Sequence, residues 1–124
     1  MGMPASEEAT VVPDGVWAAT VTFAGRTVET QLVFETAGAM RLSTPVSTGQ
    51  GTWTRTGEAR FSYRAREVFS AESGLTGWVD IEQDAVQRKA SFTSSGVSRL
   101  FDAAGDQVAS MAAEVSARRE GEQA

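Results

Sequence analysis

The sequence predicts an all-β fold, an eight-stranded antiparallel up-and-down β-barrel, and three observations carry that prediction. Trp17, Ala19, Val21 and Phe23 share one parity against Val16, Ala18, Thr20 and Thr22, and a period of two marks a half-buried strand. Runs of this kind recur along the chain at roughly 8–14-residue spacing, divided by turn residues, which reads as a meander closing into a barrel or sandwich. The connections are short, so the last strand closes most simply on the first, and closure removes the edges that invite aggregation.

Composition sets the bounds. The chain has 124 residues, 41% hydrophobic and 22% charged, enough for one core and one domain. With no cysteine and no histidine, disulfides, thiolate chemistry, the commonest metal ligand and the usual general base are all excluded. The net charge is −5 and the basic residues are scattered. Nucleic acid and anionic membrane surfaces are therefore not expected as partners. No apolar run approaches the roughly 18 residues of a membrane-spanning helix. The opening Met-Gly-Met-Pro-Ala-Ser-Glu-Glu lacks the basic and apolar regions of a secretory signal, so the expected location is cytoplasmic. Arginine outnumbers lysine ten to one, and alanine and glycine abound, the bias of a GC-rich bacterial genome.

Residues 1–14, polar and acidic with Pro4 and Pro13, read as an N-terminal arm. The first strand, Gly15 to Phe23, turns at Ala24-Gly25-Arg26. In the second, Thr27 to Glu35, Val28, Thr30, Leu32 and Phe34 face inward. After Thr36–Ala39 a short third strand, Met40 to Ser43, runs into a longer loop, Thr44 to Gln50, marked by Pro45 and Gly49. Gly51 to Thr56 is the fourth strand and carries Trp53. Beyond Gly57-Glu58, the fifth strand spans Ala59 to Phe69. It sets Phe61, Tyr63, Ala65, Glu67 and Phe69 inward against Arg60, Arg64 and Arg66.

Ser70 to Gly74 form a second longer loop. The sixth strand, Leu75 to Asp84, places Val79 and Ile81 inside, with Trp78, Asp80, Glu82 and Asp84 outside. Ala85-Val86-Gln87 turns into the seventh, Arg88 to Phe101, where Gly96 suggests a bulge or bend. The eighth strand, Gln107 to Arg119, follows the turn Asp102 to Asp106 and points Met111, Ala113, Val115, Ala117 and Arg119 inward. Its alanines and glutamate would suit a helix, but valines and serines at two-residue spacing favour strand. The barrel domain is thus 15–119, and 120–124 is a polar tail.

Closure brings Arg119 beside Trp17, where a guanidinium over an indole is a cation–π contact worth roughly 0.5–2 kcal/mol. The first-strand Gly15-x-Trp17 with a late-strand arginine, Arg119 (or Arg118 if the register slips by one), resembles the lipocalins and their wider calycin relatives. The resemblance covers the two ends of the chain and a compatible strand count between them. It departs from lipocalins in its short first hairpin, in lacking a Thr-Asp-Tyr-type second motif, and in having no C-terminal helix or disulfides. It implies a lipocalin-like barrel plugged at the Trp17 end. The longer loops, Thr44–Gln50 and Ser70–Gly74, fall at the opposite end, which reads as a mouth.

The expected lumen holds Trp53, Phe61, Tyr63, Phe92 and Met111 beside Ala19, Ala65, Ala113 and Ala117. An eight-stranded barrel of that content is either filled or holds one small ligand. Glu67 shares the inward parity, where an unpaired carboxylate is costly. It is expected to pair with an arginine, bind ligand or carry a raised pKa, unless it sits in water at the mouth or a bulge turns it outward. Arg99 points inward if Gly96 makes a bulge, and would then be its partner. Asp80, Glu82 and Asp84 on an outer face read as solvated carboxylates, with no metal or other cofactor implied.

Three functions follow as expectations. The first is binding or carriage of a hydrophobic small molecule by Trp53, Phe61, Tyr63, Glu67, Phe92, Arg99 and Met111. The second, by analogy with small barrels of bacterial polyketide pathways, is a cofactor-independent cyclase or pericyclase, with Tyr63 and Glu67 as catalytic groups. The third is a solid barrel acting through its surface, with Trp78 as a contact point. A homodimer is allowed.

Overall fold

The computed structural model describes residues 13–70 and 76–120. The remainder of the expected arm (1–12), most of the loop after Ser70 together with Leu75 (71–75), and the tail from 121 lie outside the described residues. Eight strands follow one another: β1 (Gly15–Phe23), β2 (Arg26–Phe34), β3 (Ala39–Thr44), β4 (Ser47–Gly57), β5 (Arg60–Phe69), β6 (Trp78–Arg88), β7 (Ser91–Phe101) and β8 (Gln107–Arg119). Each pairs antiparallel with the next, and β8 pairs with β1 to close the barrel. The expected all-β, up-and-down architecture is therefore present, including the strand choice at β8.

Register explains how the barrel is built. Trp17 lies directly opposite Arg119, with no slip toward Arg118. Following partners the other way, from Trp17 through Leu32, Leu42, Gly49, Glu67, Val79 and Leu100 to Ala109, one turn of the barrel reaches β8 ten residues short of Arg119. Such a shear tilts the strands steeply against the barrel axis. Residues far apart in strand register therefore meet across the lumen.

The first hairpin turns through Ala24 (φ 50) and Gly25 (φ 74). Two positive φ values in a two-residue loop match the right-handed twist of the strands it joins. Four sequence expectations need correction. Thr44–Gln50 is not a loop: Thr44 pairs with Ser47 across Pro45-Val46, and β4 begins at Ser47. Glycine is what lets β4 lie so close to β5, since a Cβ at Gly51 would stand 1.7 Å from the Arg64 carbonyl oxygen. Ala85–Gln87 is not a turn, because alternation runs on through buried Gln83, Ala85 and Gln87 to a turn at Lys89 (φ 52).

Gly96 makes no bulge. It pairs in register with Gln83 and Ala113, and its lack of a Cβ admits the Glu82 carbonyl oxygen, 1.8 Å from where that atom would be. With parity unbroken from Phe92, Arg99 faces outward and pairs with Glu82 at 2.9 Å. It is no partner of Glu67. Trp78 is on the outer wall as expected, but half-buried: it stacks on Phe101 at 5.4 Å and 14°, under the Arg66 guanidinium at 4.6 Å.

Candidate functional site

The lumen has two halves of different character. At the Trp17 end it is packed solid. Trp17, Phe34, Met40, Phe61 and Phe92 are all at most 2% exposed. Phe34 stands edge-on to Phe61 and Tyr63 at 5.3 Å each, and Trp17 edge-on to Phe92 at 4.9 Å, the arrangement that ring quadrupoles favour. Trp53 sits at the rim of this cluster, donating its indole N–H to the Glu35 carbonyl at 2.7 Å. The end itself is sealed by Trp17, whose N–H reaches the Pro13 carbonyl at 2.7 Å, and by Arg119, whose guanidinium lies over the indole at 4.4 Å.

Gly15 allows that seal. Its φ of +128 suits glycine, and a Cβ there would meet the Arg119 guanidinium at 2.5 Å. Arg119 also donates to the Asp14 carbonyl. The Gly-x-Trp pattern and the late arginine thus act as one structural unit.

A buried polar network occupies the middle of the lumen. The Tyr63 hydroxyl lies 2.9 Å from Ser94 Oγ, Ser94 donates to Gln83 Oε1 at 2.7 Å, and Gln83 Nε2 donates to the Ala113 carbonyl at 3.2 Å. Since Ser94 gives its proton to Gln83, Tyr63 donates to Ser94. Every member is satisfied, as burial at this depth requires. Burial pushes the Tyr63 hydroxyl well above its ordinary range, partly offset by Ser94. Tyr63 is thus protonated and engaged. Parity alone reaches both, Gln83 two residues beyond Ile81 in the sixth strand and Ser94 two beyond Phe92 in the seventh; sequence reasoning missed them because a neutral polar side chain gives no local signal that it is buried and bonded.

Toward the other end the inward face changes. Leu42 and Ser47 are buried, but Val21, Val28, Glu67, Val79, Ile81, Leu100 and Met111 are only half-buried. Glu67 projects inward between Gly49 and Val79. Its Oε2 accepts a hydrogen bond from the buried Ser47 hydroxyl, two positions diagonal to it on β4. Ser47 lies 2.6 Å from Thr44 Oγ1, which accepts the Val46 N–H at 3.1 Å. Protons in this chain are all directed toward the carboxylate. Desolvation nevertheless raises the Glu67 carboxyl above its usual value, with the Ser47 bond pulling the other way.

The residues proposed from sequence therefore do not converge on one spot. Trp53, Phe61 and Phe92 belong to the packed half, Tyr63 to the central network, Glu67 and Met111 to the mouth half, and Arg99 to the outside. Two hollows on the outer wall, of about 520 and 400 Å³, use none of them; Gln50 and Arg66 line one, Asp84 and Glu114 the other. Among the described residues no three carboxylates gather as a metal site. Comparison with protein-family models, with curated proteins and with solved structures finds no match.

Proposed function

We propose that the barrel binds an apolar small molecule in its mouth half. The observation that carries this reading is the half-buried state of large inward-facing side chains, Val79, Ile81, Leu100 and Met111, beside a fully packed Trp17 half. Inward apolar surface that stays wet is stabilised by an apolar guest, at roughly 25 cal/mol per Å² removed from water. The Gly15–Trp17–Arg119 unit on a closed eight-stranded barrel supports a lipocalin-like carrier, and kinship with the calycins is part of this proposal.

Titration with a neutral solvatochromic dye such as Nile red tests the reading. Saturable binding is expected, and Ile81→Trp or Leu100→Trp, which fill the mouth half, should abolish it while the fold survives. A dye that does not bind, or binds equally to both fillings, overturns the proposal.

Glu67 favours a second reading, that of a cofactor-independent cyclase. A carboxyl raised by desolvation holds its proton to higher pH than a free one, which suits it to exchange a proton with a bound molecule. In that reading Glu67 acts on a bound precursor, and turnover blocked by Glu67→Gln with the precursor still bound would select it.

A further inference from the structure

We infer that the ligand of the mouth half is a lipophilic amine, bound as its ammonium ion by Glu67 with its apolar body against Val79, Ile81, Leu100 and Met111. This rests on the small-molecule reading above and names the chemical class it takes.

The first ground is how Glu67 is held. Its carboxylate projects into the lumen from near the end of β5, and Ser47, itself 5% exposed, donates to Oε2. The Thr44 hydroxyl backs Ser47, and the Val46 N–H backs Thr44. Such a directed relay presents a carboxylate as an acceptor and fixes its orientation. A half-buried carboxylate is costly without a countercharge, and one hydroxyl supplies only part of what a cation would.

The second ground is charge. Among the described residues no arginine or lysine pairs with Glu67: Arg26, opposite Phe23 at this end of β2, shares the inward parity but stands exposed at the rim. Two further arginines of inward parity, Arg55 and Arg119, belong to the Trp17 end. Arg66 and Arg99 lie on the outer wall in ion pairs with Asp80 and Glu82. The turn between β7 and β8 at this end carries Asp102 and Asp106. A carboxylate set among apolar walls favours a cation over a fatty acid. The groups facing Glu67 are uncharged on every side: Leu42 and Thr44 on β3, Ser47 and Gly49 on β4, Val79 and Ile81 on β6. Tyr63, the other titratable inward side chain of β5, is engaged in the central network. Glu67 is thus the half-buried charge among these apolar walls, and Arg26 stands exposed at the rim.

Displacement of Nile red by decylamine, decanol and decanoate, all below their micelle concentrations, tests the inference. At neutral pH decylamine should displace the dye at a concentration about tenfold lower than decanol, the worth of a charge-assisted hydrogen bond, with decanoate weakest. Glu67→Gln should bring decylamine to the level of decanol, each displacement being read against that variant's own dye affinity. Should that variant not fold, wild-type protein at a pH below the Glu67 titration serves instead: the amine stays charged, the carboxyl is neutral, and the preference must vanish. Dye binding without an amine preference, or a preference that survives Glu67→Gln, overturns this inference alone. Absence of dye binding overturns the small-molecule reading and this one with it.

Discussion

The Arg119 guanidinium lies 4.4 Å from the centre of the Trp17 indole, across the strand pair that closes the barrel. Gly15 completes the unit, because its missing Cβ is where the guanidinium passes. Arg119→Ala should cost at least the roughly 0.5–2 kcal/mol of a cation–π contact. Gly15→Ala should cost about 1–3 kcal/mol through its positive φ, and additionally displace Arg119. In an Arg119→Ala background only the φ cost remains, so the two changes should be less than additive. Urea unfolding of the four proteins measures the coupling, and strict additivity would show the two residues act independently.

Glu67 gives the fold a pH dependence with a definite sign. Its carboxyl is raised above the usual 4.5 in the folded state, so the folded chain holds this proton more tightly than the unfolded chain. The contribution is fully present below pH 4.5 and is lost as pH rises through the folded value. Wild type should therefore lose stability relative to Glu67→Gln as pH is raised from 4 toward 7, in a window beginning at about the unfolded value. Thermal unfolding of both proteins across that range checks it; a constant difference would mean Glu67 is not desolvated.

The central network predicts a graded response. Tyr63→Phe removes one donor while leaving Ser94 bonded to Gln83, so a loss of about 0.5–1.5 kcal/mol is expected. Gln83→Leu removes the acceptor of Ser94 and the side-chain donor to the Ala113 carbonyl and should cost more, about 1–3 kcal/mol. Denaturant midpoints read the order, and equal losses would argue against a connected network.

Strand glycines should divide sharply. Gly51→Ala and Gly96→Ala drive a methyl into carbonyl oxygens of the neighbouring strand, at 1.7 and 1.8 Å, and should prevent closure of the native sheet. Gly57, whose Cβ would meet nothing closer than 3.4 Å, should accept alanine within about 0.5 kcal/mol. Yield and far-ultraviolet circular dichroism separate the two outcomes.

Ala24 holds a φ of 50 in the first turn, a region in which asparagine is far better tolerated than alanine. Ala24→Asn should raise stability by about 0.5–1 kcal/mol. An unchanged melting temperature would indicate that the turn relaxes in solution.

Much of the fold is legible in the order of residues. Parity is a local property of extended backbone, so Trp17, Phe34, Phe61, Tyr63 and Glu67 could be placed inside by alternation alone. Arg99 shows where that logic failed: a bulge was read into Gly96, whereas the glycine answers to a neighbouring carbonyl that no local pattern records. Thr44–Gln50 failed in a similar way. Proline and glycine suggested a loop, yet β4 uses Gly49 and Gly51 for close packing and starts early enough for Ser47 to reach Glu67.

By itself, then, the sequence determined eight strands, their inward faces, and the meeting of Trp17 with Arg119 once the ends join. Tertiary structure alone decided which lumen residues touch. The strands are sheared by ten residues per turn of the barrel, and hydrogen-bond register is a non-local quantity that sums over every strand pair. That sum packs Phe34 among Phe61, Tyr63 and Phe92, ties Tyr63 to Ser94, and gives Glu67 the Ser47 hydroxyl as its partner.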